Sequence, residues 1–452
     1  MKATLKNGLR LLFFPVLVSI MTSCFFSKNY EEILPLNDAE LLYFGLYSDS
    51  VPDLKEVVFT IDHRGPVGAI YNRDSMAYQT KIKGKVMVSY ISGADLDNVF
   101  NITAGDSVRV LREDSFDIST PQTLKVIALD GKTSKKYVVQ LNIHQVDPDS
   151  TQYHQIASGL PFLQSEDTKT VLLNDIFLTY SKIGPQVQLH SSPDAVNWTP
   201  YVPSGLPLNV VVRGIYSNRK QIFAYTDNGE LYVRNDPVSD LWVLANKPAS
   251  VKIKSILGYL PASAKQNEGL CLIIETNGIN TFAFTEDFIQ WEYDDSTPVP
   301  EDFPLNNFSV HCYRLMLTGR VSVFGGISQS GALLNTVWST ENGLYWAKLS
   351  GNRNLFPPLE GINVFYYNGE FWLINGKSGS NYNREVYYSI DGGITWRIKP
   401  EKFKTHDNYS LRYNASVVVD KDNKRFFIIG GKQGTEFSDI WRGVLNKMEF
   451  DY

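Results

Sequence analysis

Tryptophan recurs through the second half of the chain at intervals that constrain the fold more than any other feature of the sequence. Successive members of the series are 44, 49, 55 and 50 residues apart, and they are Trp198, Trp242, Trp291, Trp346 and Trp396. Repeats of about 40 to 50 residues that are built from short strands are typical of β-propeller blades. The spacing therefore predicts a β-propeller over residues 151–452.

The last of these tryptophans ends a motif that reads S-x-D-x-G-x-T-W. The motif comprises Ser389, Asp391, Gly393 and Trp396. It resembles the Asp-box of sialidase-like and related propellers, and this resemblance implies a structural role. A short acidic side chain caps a tight turn, glycine adopts a positive φ, and tryptophan packs between sheets. Two degenerate copies are expected at residues 191–198, where Asp194 lies one position late, and at residues 339–346, where Glu341 replaces the aspartate.

Paired glycines mark a second repeat in the last three predicted blades. Gly325-Gly326 and Gly430-Gly431 each end an apolar run, and Asn375-Gly376 occupies the same place between them. An aromatic residue follows each pair, and these residues are Trp338, Tyr388 and Trp441. The pattern resembles kelch repeats, which implies that the three aromatic residues fill one blade position.

The two ends of the predicted propeller complement each other. Residues Tyr153–Pro161 have the pattern of an outermost strand and its exit turn, but no blade precedes them. The chain after Trp441 is too short to form an outermost strand of its own. We therefore expect the strand near Tyr153 to pair with the strand that contains Trp441, because this pairing hides exposed sheet edges. Five tryptophan-marked blades and this shared blade predict a six-bladed propeller closed by pairing of its N- and C-terminal strands.

Residues 34–146 contain short runs of alternating apolar and polar residues, separated by turn residues. The runs are residues 56–62, 85–91, 106–112, 123–129 and 135–144. This pattern predicts a β-sandwich, with a hairpin turn at Asp130-Gly131. The segment resembles the Ig-like or cadherin-like modules of Bacteroidetes surface lipoproteins, which implies a spacer between a membrane and a distal domain. Residues 146–150 are polar and contain a proline, so they favour a linker to the propeller.

The first 24 residues predict export. An apolar run from Leu11 to Met21 follows basic residues and is shorter than the roughly 20 residues that a membrane-spanning helix needs. The run leads into Thr22-Ser23-Cys24, which resembles the lipobox of bacterial lipoproteins. The resemblance implies cleavage before Cys24, acylation of Cys24, and a lipid-anchored protein of the cell envelope, in the outer membrane of a Gram-negative bacterium. The alternative is an ordinary secretory signal in which Cys24 is incidental.

Charge and residue clusters argue against several classes of function. The formal net charge is −5 and no block of Lys and Arg is present, so the sequence predicts no nucleic-acid partner. The six histidines lack metal-ligand spacing, and we predict no metal site, no cofactor and no catalytic residues. Carboxylate pairs at residues 31–32, 294–295 and 301–302 are interpreted as solvated loop charges. Cys271 and Cys312 lie in strand-like apolar runs and are expected to be free thiols, the alternative being a single disulfide bridge between them.

The polar loop at residues 375–384 is the best candidate for a contact surface. Binding residues concentrate on loops of rigid scaffolds, and exposed aromatic rings stack on sugars and peptides. Tyr382 and Arg384 are the predicted binding residues of this loop. The sequence thus predicts a non-catalytic binding or interaction module for a glycan or a protein partner. The alternative is a carbohydrate-active hydrolase or lyase with its site at the axial mouth of the propeller.

Overall fold

A computed structural model describes residues 37–447, apart from residues 83–85, 94–95, 104–107, 111–114, 166–167, 184–185, 208–209, 235–240, 265, 350 and 352–354. The predicted signal peptide and Cys24 lie outside the described residues. The chain is all-β, as predicted, and the described residues add three short 3₁₀ helices at Pro52–Glu56, Pro161–Leu163 and Glu401–Phe403. No helix in this part is long and apolar enough to cross a membrane. Contacts divide the chain into two compact units, Met1–Pro148 and Asp149–Tyr452.

The described part of the first unit contains nine strands. They are β1 (Leu41–Tyr47), β2 (Phe59–Asp62), β3 (Val67–Asn72), β4 (Val86–Gly93), β5 (Leu96–Asn101), β6 (Val108–Arg109), β7 (Ser115–Phe116), β8 (Gln122–Ala128) and β9 (Ser134–Gln140). One sheet has the order β1-β4-β7 and the other has the order β2-β3-β9-β8-β5-β6, with β3 and β9 parallel. Both sheets contribute to one hydrophobic core, with Leu41 and Phe44 from the first sheet and Leu124 and Val126 from the second.

The predicted hairpin at Asp130-Gly131 joins β8 to β9. Asp130 Oδ1 accepts hydrogen bonds from the backbone N–H groups of Lys132 and Thr133, each at 2.8 Å. Gly131 has a φ of 64°, which residues with a side chain rarely adopt. The prediction of this turn is confirmed, because the chemistry that forms it is local to the turn.

The second unit contains strands β10 to β38 in its described part. They are β10 (Ser150–Ala157), β11 (Lys169–Leu173), β12 (Ile176–Ile183), β13 (Gln186–Ser192), β14 (Thr199–Tyr201), β15 (Val212–Ser217), β16 (Ile222–Thr226), β17 (Leu231–Arg234), β18 (Val243–Leu244), β19 (Lys252–Leu260), β20 (Gly269–Thr276), β21 (Ile279–Thr285), β22 (Glu292–Pro298), β23 (Pro304–Asn306), β24 (Ser309–Leu315), β25 (Thr318–Ser328), β26 (Leu333–Thr340), β27 (Ala347–Lys348), β28 (Asn363–Tyr367), β29 (Glu370–Ile374), β30 (Lys377–Ser378), β31 (Asn381–Tyr382), β32 (Tyr387–Ser389), β33 (Arg397–Ile398), β34 (Ser416–Val419), β35 (Arg425–Ile429), β36 (Lys432–Gln433), β37 (Thr435–Glu436) and β38 (Ile440–Asn446).

Among the described residues of this unit, six sheets have four or five strands each. Their orders are β11-β12-β13-β14, β15-β16-β17-β18, β19-β20-β21-β22, β23-β25-β26-β27 with β24 also on β25, β28-β29-β32-β33, and β10-β38-β35-β34. Two short hairpins, β30 with β31 and β36 with β37, lie outside these sheets.

The innermost strands of the six sheets contact one another in a cycle. The order of contact is β11, β15, β19, β24, β28 and β34, and β34 contacts β11 again. Neighbouring strands within each sheet are antiparallel, and we count them from the innermost outward. The turn between the first and second strands of a sheet therefore lies at the same end as the turn between its third and fourth strands. We call this the turn end. The other end, which carries the remaining connections, is the loop end. Radial repetition of small antiparallel sheets is the arrangement of a β-propeller.

The sheet that contains Trp441 takes its outermost strand from the beginning of the unit. β10 pairs antiparallel with β38, and Gln155 lies opposite Trp441. The buried Tyr153 ring packs against Phe426 with 5.8 Å between ring centroids, and its hydroxyl donates to the Phe403 carbonyl. The predicted pairing is therefore present, and it gives β38 a partner strand on both sides.

Aromatic residues on the third strands pack against the preceding sheet. Trp338 and Trp441 occupy this position in their sheets. In the intervening sheet the residue is Tyr387, so the prediction of Tyr388 is wrong. The turn that leads to Trp396 is one residue longer than the turn that leads to Trp346. A position counted back from the tryptophan therefore falls on Tyr388 instead of Tyr387.

Cys271 on β20 and Cys312 on β24 are free thiols, as expected. The Tyr216 hydroxyl lies 3.0 Å from the Cys312 sulfur. Burial raises the pKa of Cys312 to about 11 and raises the pKa of Cys271 well above its usual value. Thiols held in the protonated form are poor nucleophiles, so neither cysteine has the properties of a catalytic one.

Candidate functional site

The turn that joins β32 to β33 contains the complete S-x-D-x-G-x-T-W motif. Asp391 Oδ1 accepts hydrogen bonds from the Ser389 hydroxyl at 2.8 Å and from the Thr395 N–H at 2.9 Å. The Gly393 N–H donates to the Ser389 hydroxyl at 2.9 Å, and Gly393 has a φ of 91°. The Trp396 indole N–H donates to the Gly393 carbonyl at 2.9 Å. The polar groups of the motif thus bond to one another within the turn, which supports a structural interpretation.

In the turn before Trp346, the side chain that accepts the backbone hydrogen bonds is Asn342 and not Glu341. Asn342 Oδ1 accepts hydrogen bonds from two backbone N–H groups, at 3.1 and 3.0 Å. Glu341 instead accepts two hydrogen bonds from the Arg320 guanidinium, at 2.9 and 2.6 Å. The prediction that Glu341 replaces the aspartate is wrong, because this turn is one residue shorter and the acceptor position falls on residue 342.

Asp194 organises the turn between β13 and β14. Its Oδ1 accepts hydrogen bonds from the Asn197 N–H at 2.8 Å, the Val196 N–H at 2.9 Å and the Ser192 hydroxyl at 2.9 Å. Ala195 has a φ of 62° where the complete motif has glycine. The backbone hydrogen bonds from Asn197 and Val196 hold the pKa of Asp194 well below its usual range, so this carboxylate stays ionised.

The sequence motifs do not predict a fourth turn of this kind, which lies within the described residues at Thr285–Trp291. Asp287 Oδ1 accepts hydrogen bonds from two backbone N–H groups, at 2.9 and 2.8 Å. Phe288 has a φ of 62° in the position of the glycine. A search that requires glycine misses this turn, whereas Thr-x-Asp shortly before a tryptophan would have identified it.

We expect Asp391→Ala to lower the free energy of unfolding by about 0.5–2 kcal/mol, the range for loss of a side-chain cap. Burial raises the pKa of Asp391, but hydrogen bonds from Thr395 and Ser389 outweigh burial and leave the pKa below its usual value. The contribution is therefore present above the unfolded-state pKa of about 3.9 and is lost as the pH falls through the lower folded-state pKa. Urea unfolding at neutral and at acidic pH measures both effects.

Glu341→Ala is the matched control for this substitution. The Glu341 side chain is 52% exposed and pairs only with an arginine at the surface, so its loss should cost less than about 1 kcal/mol. Equal losses in the two variants at neutral pH would contradict the assignment of the turn acceptor.

The loop end carries the predicted contact residues. Tyr382 on β31 pairs with Lys377 on β30, so the polar loop forms a hairpin. The Tyr382 ring centroid lies 6.2 Å from that of Tyr413, and the ring planes meet at 56°. Lys377 Nζ lies 4.2 Å and Lys432 Nζ lies 5.5 Å from the centroid of the Tyr413 ring. We call Tyr382, Tyr413, Lys377 and Lys432 the aromatic cluster.

Charged groups surround the aromatic cluster. Lys377 Nζ lies 3.4 Å from a Glu360 carboxylate oxygen. Burial lowers the pKa of Lys377, but Glu360 and Tyr413 outweigh burial and raise the pKa above its usual value. Lys377 is therefore protonated at neutral pH. Arg384 is exposed two residues beyond Tyr382, so it adds a positive charge near those of Lys377 and Lys432.

Hydrogen bonds within the connection between β29 and β32 hold the base of this hairpin. The Asn383 side chain donates to the Asn375 carbonyl at 3.1 Å and to the Glu385 carbonyl at 2.9 Å, and its backbone N–H donates to the Gly376 carbonyl at 2.9 Å. Asn375 has a φ of 60°, a conformation that asparagine tolerates better than most residues. These bonds hold the hairpin that carries Lys377 and Tyr382, which favours a preorganised contact surface.

Of the aromatic cluster, only Tyr382 was predicted from the sequence. Tyr413 lies in the connection between β33 and β34 and forms an isolated β-bridge with Lys432. Glu360 forms the equivalent β-bridge with Lys377. Comparison of these equivalent positions between the last two repeats is the signal that would have brought Tyr413 and both lysines into the prediction.

Adjacent carboxylates do not converge on a site. Asp294 accepts hydrogen bonds from the Ser296 N–H at 2.9 Å and hydroxyl at 2.6 Å, and Asp302 forms an ion pair with Lys348 at 2.7 Å. Residues 31–32 lie outside the described residues. In the part of the chain that the structure describes, no group of three or more His, Cys, Asp and Glu side chains could hold a metal ion.

Comparisons with known proteins bear on the family. Residues 147–452 match the family model described as the DUF6242 beta propeller domain, and residues 36–141 match the one described as Domain of unknown function (DUF6242) N-terminal domain. No curated protein matches the chain. A solved structure titled "YCF48 bound to D1 peptide" matches at 13% identity and a TM-score of 0.37, over 66% of this chain and 96% of that chain. Because the propeller model alone spans more than half of the residues, the chain belongs to the DUF6242 family and carries its beta propeller domain.

Proposed function

We propose that this protein is a lipid-anchored protein of the cell envelope whose propeller binds a glycan or a protein partner without catalysing a reaction. The anchoring part rests on the lipobox-like residues that end at Cys24. Several acyl chains on one residue anchor a protein stably where a single chain does not. The resemblance of the first unit to modules of Bacteroidetes lipoproteins supports the outer membrane of a Gram-negative bacterium as the location.

The two units have different proposed architectures. The first unit is an Ig-like sandwich that acts as a spacer, supported by two sheets that share one core and by the Asp130-Gly131 hairpin. The second is a six-bladed closed propeller, supported by the cyclic contacts of the innermost strands and by the pairing of β10 with β38.

The aromatic cluster is the observation that carries the binding function. Two tyrosine rings and two lysine ammonium groups lie together at the loop end, and two of the four residues, Tyr382 and Lys377, belong to a hairpin whose base is held by hydrogen bonds. Tyrosine offers an apolar face for sugar or peptide stacking and a hydroxyl for hydrogen bonding. Rigid support lowers the entropic cost of binding, so this surface suits recognition.

Seven carboxyl groups have properties that do not suit the general acid of a glycosidase. A glycosidase of the usual type needs a carboxylic acid with a raised pKa to protonate the leaving group. Among the described residues, every Asp and Glu with a resolved shift has a lowered pKa, and these are Glu40, Asp62, Asp130, Asp194, Asp287, Asp294 and Asp391. Such carboxylates accept hydrogen bonds well, but they are poor general acids.

We expect Cys24→Ser to release the protein from the membrane fraction or to leave it unprocessed. The substitution removes the thiol that would carry the lipid, and a serine at this position cannot replace it. Membrane fractionation and the mass of the N-terminal peptide measure the two outcomes. A variant that is still processed normally and still tethered would contradict the lipid anchor.

Tyr382→Ala and Arg384→Ala should weaken binding to any glycan that the wild-type propeller retains on an array. Loss of a central aromatic contact costs about 1–2 kcal/mol, so the affinity of Tyr382→Ala should fall by about tenfold or more. Tyr345→Ala is the matched control, since Tyr345 is 75% exposed but lies at the turn end. Weaker binding by the control, with Tyr382→Ala unchanged, would place the contact surface at the other end.

A further inference from the structure

Positive charge is concentrated around the aromatic cluster, although the chain as a whole is acidic. The formal net charge of the chain is −5. Three cations nevertheless lie in two connections at the loop end, and these are Lys377 on β30, Arg384 just after β31, and Lys432 on β36. Two of them, Lys377 and Lys432, lie against the Tyr413 ring. Such a surface attracts ligands of negative charge.

The carboxylates near these cations do not neutralise all of them. Those that form an ion pair are Glu360 with Lys377 at 3.4 Å, Glu385 with Lys404 at 3.1 Å and Asp439 with Arg412 at 2.6 Å. Glu436 lies opposite Lys432 in the pairing of β36 with β37. In the part of the chain that the structure describes, Lys432, Arg384 and Glu436 form no ion pair, so two cations and one carboxylate remain unpaired there.

The two lysine ammonium groups of the cluster are close together. Lys377 Nζ and Lys432 Nζ lie 4.2 and 5.5 Å from the same Tyr413 ring centroid, so they are at most 9.7 Å apart, the sum of the two distances. Like charges this close repel each other. An anion bound beside them relieves the repulsion, and the ammonium groups donate charge-assisted hydrogen bonds to it.

The side chains around the cluster are open to solvent and can reach a ligand. Arg384 is exposed, and Lys432 and Tyr382 are partly exposed. The Lys377 side chain is 22% exposed. Among the described residues, the Tyr382 ring contacts one other ring, that of Tyr413, with 6.2 Å between the centroids. The C–H groups of a sugar ring can therefore pack on the part of the Tyr382 ring that faces solvent.

We infer that the ligand of the aromatic cluster is an acidic glycan, whose sugars carry carboxylate or sulfate groups, an assignment that rests on the proposed binding function and narrows its ligand class. A sugar ring packs on Tyr382, and the anionic groups accept hydrogen bonds from Lys432 and Arg384. The net charge of −5 disfavours polyanions over the rest of the surface, so they are expected to bind at this cluster. A neutral glycan makes the stacking contact but not the charged ones.

Isothermal titration calorimetry of the chain without residues 1–24, with a galacturonic acid oligomer and with its methyl ester, tests this assignment. The two probes have the same sugars and linkages, but the ester lacks the negative charges. The acid should bind about tenfold more tightly than the ester in about 50 mM salt, and most of this difference should disappear in about 500 mM salt, which screens the charges. Sulfated and unmodified dextran oligomers form a parallel arm. A preference for the sulfated oligomer alone supports an acidic ligand with sulfate as its charged group.

Lys432→Gln and Arg384→Gln should each weaken binding of the acid by about threefold to tenfold and leave binding of the ester unchanged. Neither substitution breaks an ion pair among the residues that the structure describes, so both variants should fold. Lys220→Gln is the matched control, since Lys220 is exposed at the turn end, in the connection between β15 and β16.

Equal affinity for the charged and neutral probes in both arms, or full affinity of both cluster variants for the acid, would overturn the assignment of an acidic ligand. An equal loss in Lys220→Gln would also overturn it, because the charges would then act over the whole surface. No binding of either acidic probe would have the same consequence. The proposed binding function would survive that last result if the propeller retained a neutral glycan or a protein partner, and it would fail if the propeller retained neither.

Discussion

A chain that begins at Phe162 is expected to lose the folded propeller, whereas a chain that begins at Asp149 is expected to keep it. Both chains lack the first unit, and they differ only by β10 and the turn after it. The second unit is compact by itself, so removal of the first should leave its core intact. The loss of β10 instead removes one complete strand from the sheet that contains Trp441.

The size of this effect follows from what β10 contributes. Without β10, the backbone groups of β38 that face it become an unpaired edge, which favours aggregation. The buried ring of Tyr153 is lost as well, together with its contacts to Phe426 and Tyr409. Truncation of one buried aromatic side chain costs about 3–5 kcal/mol. That loss is comparable with much of the 5–15 kcal/mol by which a typical domain is stable.

Thermal melting and size-exclusion chromatography of the two chains measure this difference. We expect a monomer with a cooperative transition for the chain that begins at Asp149, and aggregation or a large fall in melting temperature for the chain that begins at Phe162. A synthetic peptide of residues 149–161 should partly restore the second chain, since it supplies β10 in trans. A monomeric Phe162 chain with an unchanged melting temperature would contradict the role of the β10–β38 pair.

Arg412→Met is expected to lower the free energy of unfolding by about 3–5 kcal/mol, the cost of breaking a buried ion pair by removing one partner. The Arg412 side chain is fully buried, and its guanidinium donates to the two Asp439 carboxylate oxygens at 2.6 and 3.1 Å. It also donates to the Gly430 carbonyl at 2.9 Å and lies 4.2 Å from the Phe437 ring centroid. The substitution leaves the Asp439 charge without its main partner.

Lys348→Gln is the control for Arg412→Met. It breaks an ion pair with Asp302 in which both side chains are more than two-fifths exposed, so it should cost less than about 1 kcal/mol. Urea unfolding measures the loss of stability in both variants, as a shift of the unfolding midpoint at an unchanged m-value. A loss below about 1 kcal/mol in Arg412→Met would show that the buried pair does not stabilise the fold.

The features that could be predicted from the sequence are those formed by residues close together in the chain. The Asp130-Gly131 hairpin and the turn around Asp391 are defined by bonds that span a few residues. The pairing of β10 with β38 is a long-range feature, but it was predictable. Residues 153–161 have the pattern of an outermost strand that no blade precedes, and the blade that contains Trp441 lacks an outermost strand. Comparison with the other repeats showed that a strand was missing from that blade.

The errors arise where repeats differ by one residue. Asn342 and Tyr387 hold the positions assigned to Glu341 and Tyr388, because turn length varies between sheets and a count in sequence does not follow it. The aromatic cluster depends on segments from different connections and different sheets. No pattern within one segment reports such contacts, so the sequence identified Tyr382 but not its neighbour Tyr413.

Mass spectrometry of glycans recovered after incubation with the chain that lacks residues 1–24 distinguishes binding from catalysis. At least one class of glycan, or a protein partner in a parallel cross-linking arm, should be retained, and retained glycans should be recovered with unchanged mass. Glycans shortened by hydrolysis or carrying the unsaturated end of a lyase product, formed by wild-type protein with turnover, would contradict binding without catalysis.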